Sequence, residues 1–584
     1  MLERLTEYAE RHGLEVEPGF KPKEIRWAVV CDDEGRFLDV MELGDAGDRK
    51  NRGQMFPTCP DLGFSELVAG RETRCHFLVE TAAVVALHGV EDADLKNREK
   101  HRYFVGLLRQ AGEVMPEVGH VARLLGDPEA LVGIRSRLAS LGAKATDKVT
   151  FRAGGAFPIE SSAWHDWWRG FRRTLSADKV RPRGAGLSPP MRCFASGDLV
   201  EPVQTHLKIE GLAGVGGQPS GDALVCFDKE SFRSYGLQQS SNAAVSELAV
   251  CSYRAALNDL IRHHGRSLAG AKVVHWFKSQ IPREDDPLSW LEEGEEEQER
   301  NAQHLARELL ESIRTGKRPD LAANHFYTLT LSGAAGRVMV RDFMDGPFED
   351  LAGNIHAWFV DLAIVHREGG RLAPDPKFLA VLGATVRDLK DLPPPRVAKM
   401  WRVAVHKELI PGDVLAQALS RTRVDILDVG TFNHARMGLL KAYHIRQAKQ
   451  KGGNAVFNEL APNLNEKHPS PAYQCGRLMA VLANLQRAAL GDVGAGVVQR
   501  YYAAAGTTPA LIFGRLSRLS QFHLAKLAPG LTHWYESKIA GIWGRLGDAL
   551  PTTLSLEEQS LFALGYYQQL ADMRTRKPKE EACE

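Results

Sequence analysis

Between His206 and Asn242 the chain reads HLKIEGLAGVGGQPSGDALVCFDKESFRSYGLQQSSN. Gly211, Gly214, Gly216, Gly217, Gly221 and Gly236 are set among Gln218, Ser220, Gln238, Gln239, Ser240, Ser241 and Asn242. Glycine lets a backbone approach a ligand closely. The amides of Gln and Asn pair a donor with an acceptor, which suits a base edge, and Ser hydroxyls reach phosphate or base. Lys208, Lys229 and Arg233 add positive charge. Gln218, Gln238, Gln239 and Asn242 are therefore candidates for base contacts. Gly216 and Gly217 are candidates for close backbone approach, and Ser220 and Lys208 for phosphate. A glycine-rich loop joining strands, with solvated polar residues, accounts for the same composition, and the residues alone leave both readings open.

Other patterns that carry chemistry fail on inspection. No Gly-x-x-x-x-Gly is followed by Lys-Ser or Lys-Thr, so there is no phosphate-binding P-loop. Gly211–Gly217 fails the dinucleotide fingerprint, because Pro219 stands where its last glycine belongs. His263 and His264 are adjacent, which points two helical rings apart and makes a poor metal pair. Ser176 and Lys179 match Ser-x-x-Lys once, without a companion motif. The 8 cysteines form no Cys-x-x-Cys pair, which fits reduced thiols in a cytoplasm better than a disulfide framework or structural zinc. No cofactor and no metal are expected.

Charge points to a polyanion. The chain carries 74 basic and 73 acidic residues, yet from Phe432 to Pro551 there are 14 basic against 5 acidic. A nearly neutral protein with one strongly basic end has nucleic acid as a candidate partner there. Lys441, Arg477, Arg487, Arg515, Arg518, Lys526 and Lys538 are the candidates for tracking a strand's phosphates. A second basic group, Arg49, Lys50, Arg52, Arg71 and Arg74, lies in an irregular stretch near the front. The acids Glu284, Asp285, Asp286, Glu292, Glu293, Glu295, Glu296, Glu297 and Glu299 read as a solvated segment.

The elements that must position these groups follow from periodicity. Ile25–Val30 and Arg36–Glu42 flank Asp32-Asp33-Glu34-Gly35 and read as a hairpin, as do His325–Leu331 and Arg337–Phe343. Helices are expected at 1–12, about His76–Leu87, within 95–145, at Ser161–Leu175 and at Ala243–His263. Residues 193–235 read as strand-like, most clearly Ala223–Phe227. After Pro393-Pro394-Pro395 the pattern is helical throughout, with breaks at Gly452-Gly453, Pro469–Pro471, Gly491–Gly496 and Pro529-Gly530. The expected fold class is α+β: a mixed α/β N-terminal region followed by an all-α C-terminal helical bundle. A length of 584 residues suggests several domains. The divisions expected are 1–190, 191–395 and 396–584. No apolar run approaches 18 residues and the charged N-terminus has no signal core, so a cytoplasmic protein without a membrane segment is expected.

Separated blocks also match a known family. Ile25-Arg26-Trp27-Ala28-Val29-Val30 precedes Asp33-x-Gly35. The middle supplies His206-x-Lys208-Ile209-x-Gly211, Gln218-x-Ser220-Gly221 and Phe232-x-Ser234-Tyr235-Gly236-x-x-Gln239-x-x-Asn242. The helical end supplies Leu440-Lys441-Ala442-Tyr443, Gly476-Arg477-Leu478 and Phe562-x-Leu564-Gly565-Tyr566-Tyr567. In order and spacing the chain resembles the large subunit of the type I-C CRISPR Cascade surveillance complex. It departs at His76-Phe77-Leu78-Val79-Glu80-Thr81, where the family usually carries an Asn-Phe-Leu-x-Asp-Asn-like run.

The resemblance implies a non-catalytic prokaryotic subunit that reads the protospacer-adjacent motif of double-stranded DNA and promotes R-loop formation. It implies that the chain holds the displaced strand and helps recruit a helicase-nuclease for antiviral defence. Implied partners are the Cascade backbone subunits bearing the guide RNA (crRNA), the subunit capping its 5′ handle, and a small subunit made from the same gene. That product would begin at Met437 or near Val456. A stand-alone nucleic-acid-processing enzyme with an unrecognised site is the alternative.

Overall fold

The computed structural model describes the chain except residues 15–16, 45–52, 68–72, 92, 178–189, 233–234, 236, 238, 292–301, 429–431, 451–459, 492, 494 and 576–584. It is α+β, mixed in the front half and strand-free over the described residues after 396. Two compact units are present. The first comprises Met1–Gly211, Gln218–Asp259 and Gly336–Val338, and the second Leu212–Gly217, Leu260–Ala335 and Met339–Glu584.

The first unit is organised on Trp27–Cys31, a nearly wholly buried strand. It pairs antiparallel with Phe37–Glu42 and parallel with Lys148–Ala153, to which Glu80–Thr81 adds a short edge. The hairpin turn closes as its sequence requires. Asp32 Oδ1 accepts the Glu34 and Arg36 amides at 3.1 and 2.8 Å, and Gly35 takes a left-handed φ of 84°. A parallel pair needs a long crossover. It contains the helices Leu95–Ala111, Pro116–Gly126 and Pro128–Ser140, which share the core with the sheet. Two of these start on Asp94 and Asp127, whose carboxylates cap the Asn97 and Glu129 amides.

Three local expectations shift. Only Ala82–Val85 of the expected His76–Leu87 helix is helical, because Glu80–Thr81 joins the sheet and Leu78 and Leu87 hold left-handed backbone on either side. The Trp-rich helix runs from His165 to Ala177, not from Ser161. Ser161 Oγ instead accepts the Ala163 amide, a tight turn that delays the helix. Ala223–Phe227 is not a strand. The described residues of 193–235 contribute Leu199–Val200, paired with Met191–Arg192, and single bridges at Ile209–Asp222 and Ala223–Arg337. Left-handed Gly211 and Gly221 interrupt any longer ladder.

A sheet in the order Arg337–Pro347, His325–Ala334, Ala271–Phe277, Gly265–Leu268 belongs to the second unit apart from Arg337 and Val338. Its hairpin leaves only Ala335 and Gly336 between strands, both at positive φ (50° and 82°), as a two-residue turn demands. One continuous core runs from Leu268 to Ala571. Ser470 caps the Tyr473 amide ahead of Pro471, and Ser555 with Glu558 forms a capping box. Gly491, at φ 69°, ends the helix Pro471–Leu490. The expected break at Gly452-Gly453 lies outside the described residues. Among the described residues no helix is long and apolar enough to cross a membrane.

Candidate nucleic-acid interface

In the first unit the helix Glu247–His263 serves as the anvil for the candidate loop. Arg254 Nε donates to the Lys208 carbonyl at 3.0 Å and its Nη2 to Glu210 at 2.8 Å, while Asn258 accepts the Glu210 amide. His206 is buried, with Nδ1 2.8 Å from the Tyr253 hydroxyl. Ile209 and Asp222 exchange backbone hydrogen bonds of 2.8 Å. Asp222 is fully buried, and its carboxylate accepts the Gln218 amide at 3.1 Å. Gly221 N donates to the Gln218 carbonyl at 3.0 Å, closing a turn over Pro219 and Ser220. A side chain on Gly221 would stand 3.0 Å from the Ile209 carbonyl, at a φ of 88°. The turn is thus fixed from below, while Lys208, Gln218 and Ser220 are exposed.

The second polar cluster is a 3-10 turn, Gln239–Asn242. Asn242 Nδ2 donates to the Gln239 carbonyl at 2.9 Å, Ser240 N to Gln204 and Ser240 Oγ to Val225, and Ser241 is buried. The Asn242 amide nitrogen therefore holds the turn. Gln239 is exposed at a φ of 49°, accepting one bond from Thr205. Gln238 lies outside the described residues.

Gly216 and Gly217 belong to the second unit, where their smallness has a packing reason. A side chain on Gly216 would meet the Gly333 carbonyl at 2.8 Å, and one on Gly333 would meet Gly217 N at 2.1 Å. Their backbone lies against a strand, and Gly216 also presents an exposed, left-handed surface.

The basic groups divide sharply. Arg49, Lys50, Arg52 and Arg71 lie outside the described residues, and Arg74 is buried, donating to the Glu66 carbonyl at 3.0 Å. In the helical region Arg515 and Arg518 are exposed on the helix Pro509–Leu524, Lys526 just beyond it, and Arg487 on Pro471–Leu490. Positions 511, 515, 518 and 522 follow helical spacing, so Leu511 (76% exposed) and Phe522 (70%) share the arginine face. Lys538 is half-buried, with Nζ 5.2 Å from the Trp534 ring and 3.7 Å from Asp572.

Lys441 and Arg477 turn inward. Lys441 Nζ donates to the Val360 carbonyl at 3.3 Å, and burial pushes its pKa down to about 8. Arg477 donates to Gln569, Gln474 and the Glu466 carbonyl at 2.8–2.9 Å. Neither presents its charge to a strand. Within the acidic stretch, Asp286 pairs with His275 and Asp285 with Arg318, so these carboxylates are committed to structure. Among the described residues no group of three His, Cys, Asp or Glu side chains could hold a metal ion.

The family whose sequence pattern matches this chain is CRISPR-associated protein (Cas_Csd1), and the match runs over residues 2–574. The chain belongs to the Cas_Csd1 family. It is accordingly a CRISPR-associated protein of the Cascade type. No curated protein matches it. The Cas_Csd1 match spans both units, so the polar turns and the basic helices are parts of one family-wide chain.

Sequence reasoning misses several residues here. Arg254 and Asp222, which fix the polar turn, carry no local motif; their role exists only once a helix and a bridge bring them beneath it. Tyr235, fully exposed at a left-handed φ of 53°, is readable only as part of a polar run. Leu511 and Phe522 are legible in principle, since helical spacing from Arg515 and Arg518 places them on one face.

Proposed function

We propose that this chain is the non-catalytic large subunit of a type I-C Cascade, reading the protospacer-adjacent motif and promoting opening of the duplex. The observation that carries the reading is the Gln218–Ser220 turn: a buried carboxylate pins the backbone at the Gln218 amide while Gln218 and Ser220 stay exposed, in a chain matching Cas_Csd1 almost end to end. Rigid presentation of donor–acceptor pairs is what groove reading needs, while guide-RNA pairing reads the remaining sequence. Gln218 and Gln239 are the base-reading candidates. Asn242, whose amide nitrogen holds its own turn, supports Gln239. Lys208 and Ser220 serve phosphates.

In this reading the exposed face of Arg515, Arg518 and Lys526, with Phe522 among them, holds the displaced strand. Arginine and an aromatic on one helix face suit a backbone and its bases without sequence preference. Arg487 and Lys538 flank that role. The backbone subunits, the 5′-handle-capping subunit, the helicase-nuclease and a small subunit from the same gene are the partners. A product starting at Met437 or near Val456 retains every helix from Pro471 to Arg574.

Two outcomes test this. Complexes carrying Gln218→Ala are expected to lose about 1–3 kcal/mol of discrimination between correct and altered adjacent motifs. Equilibrium binding to both targets measures this, and undiminished discrimination in Gln218→Ala and Gln239→Ala alike would remove these turns from the reading role. Reversing Arg515, Arg518 and Lys526 to Glu is expected to weaken single-strand binding. It should also flatten the slope of log affinity against log salt by roughly 0.7 for each phosphate no longer neutralised. An unaltered slope would leave these charges as ordinary surface.

A further inference from the structure

Within the second unit, a cavity of about 550 Å³ opens between two helix ends. Its wall is formed by Lys399 within the helix Pro394–Val405, by His406, Lys407, Glu408 and Leu409 beyond its end, and by Arg446, Lys449 and Gln450 of the helix His434–Gln450. We propose that this cavity binds a phosphate ester of nucleotide size, with Arg446 at its floor and Lys407 and Lys449 at its rim.

Charge comes first. Lys399, Arg402, Lys407, Arg446 and Lys449 gather here with the acids Asp342, Asp361 and Glu408, and Asp345 lies near His406. Arg402 pairs with Asp342, Lys399 with Glu408 at 2.5 Å, and Arg446 and Lys449 both with Asp361, at 3.0 and 3.1 Å. Counted against Asp342, Asp345, Asp361 and Glu408, the cations keep an excess of one, and Arg446 and Lys449 share a single carboxylate. Helix C-termini attract cations, and this accounts for part of the cluster. It does not account for all of it. Arg446 Nη1 serves the Val403 and Glu408 carbonyls, whereas Nη2 is buried without a hydrogen-bond partner among the described residues, on a side chain only 2% exposed. His406 Nε2, in the same wall, is likewise buried and unpartnered among them. Buried donors such as this guanidinium nitrogen are normally satisfied, and an anionic oxygen would satisfy it.

Backbone conformation is the second, independent observation. Lys407 follows the helix end at a φ of 54°. Glycine is the residue that takes this conformation without strain. A lysine there accepts strain and presents an exposed ammonium at the rim of the cavity. Guanidinium below and ammonium groups above approach an anion from several sides, which suits the oxygens of a phosphate better than the two of a carboxylate. Leu409 and Gln450 line space for the rest of a nucleotide. A cavity of this volume is within the range of small-ligand sites.

The test is titration calorimetry of the full chain at low ionic strength with 5′-AMP and with a pentathymidylate bearing either a 5′-phosphate or a 5′-hydroxyl. Saturable AMP binding is expected. Lys407→Gly should weaken it at least fivefold while leaving the melting temperature equal or higher, because glycine relieves the left-handed backbone. Lys407→Arg should retain it. AMP affinity should survive charge reversal of Arg515, Arg518 and Lys526, which separates this site from the proposed strand-holding face. Binding by the phosphorylated pentamer alone would assign a terminal monoester, and equal binding by both pentamers an internal diester. Absence of saturable AMP binding, succinate binding as tightly as AMP, or an AMP affinity indifferent to both Lys407→Gly and Lys449→Ala would overturn the proposal.

Discussion

Asp361→Ala is expected to destabilise the second unit by about 3–5 kcal/mol, the range for breaking a buried ion pair by removing one partner. Asp361 is 1% exposed and holds Arg446, 2% exposed, at 3.0 Å and Lys449 at 3.1 Å. Burial dominates the downward pKa shift of Arg446, and Asp361 opposes it, so without the carboxylate the guanidinium is left charged in apolar surroundings. Arg446 also lies 5.5 Å from the Trp358 ring, which cannot replace the carboxylate. Thermal and urea unfolding of the wild type and the variant measure the loss. The double variant Asp361→Leu with Arg446→Met should recover much of it, since a buried pair exchanged for apolar residues is often close to neutral. A single variant as stable as the wild type would mean that Arg446 finds water or another partner.

The second large effect is expected at Gly476. On the helix Pro471–Leu490 a side chain at Gly476 would lie 2.0 Å from the Phe562 carbonyl oxygen and 2.8 Å from Tyr566 N. The contact is reciprocal: a side chain at Gly565 would lie 2.1 Å from the Tyr473 carbonyl. These are backbone atoms, which cannot swing aside as a flexible side chain would. Alanine raises helix propensity by about 1 kcal/mol over glycine, but forcing the helices apart costs more. We expect Gly476→Ala to lose about 3 kcal/mol net, the upper part of the overpacking range. Gly514→Ala is the control. Gly514 lies in the neighbouring helix Pro509–Leu524 with open space around it, so alanine there should gain up to about 1 kcal/mol. Melting temperatures of the two variants should move in opposite directions. A shared direction would show that the crossing at Gly476 has room to relax. The same crossing ties Pro471–Leu490 to Leu556–Arg574, so any separately made C-terminal product depends on it.

The features legible in the sequence are local and periodic. Asp32 and Gly35 prescribe the first hairpin turn, Ser470-Pro471 and Ser555 with Glu558 prescribe helix starts, and the strand-free character of the described residues after 396 follows from periodicity alone. Each depends on neighbours a few residues apart, whose hydrogen bonds need no distant partner. The polar composition of Gln218–Ser220 is also readable, as is the basic excess of the helical end. The direction a charge points is not. Lys441 and Arg477 look in sequence like Arg515 and Arg518, yet their helices are surrounded on nearly every face, so their charges meet carbonyls and amides instead of solvent. The side of a helix that faces water depends on what else packs against it, and periodicity within one helix does not contain that information. Glycines are ambiguous for the same reason. Gly216 and Gly217 suggest close approach to a ligand, and the approach the fold makes is to Gly333, far along the chain. The cavity between Lys407 and Arg446 exists only because two helix ends, separate in sequence, meet where Arg446 bonds Asp361 on one side and the Val403 and Glu408 carbonyls on the other, and that meeting buries one guanidinium nitrogen with no partner among the described residues.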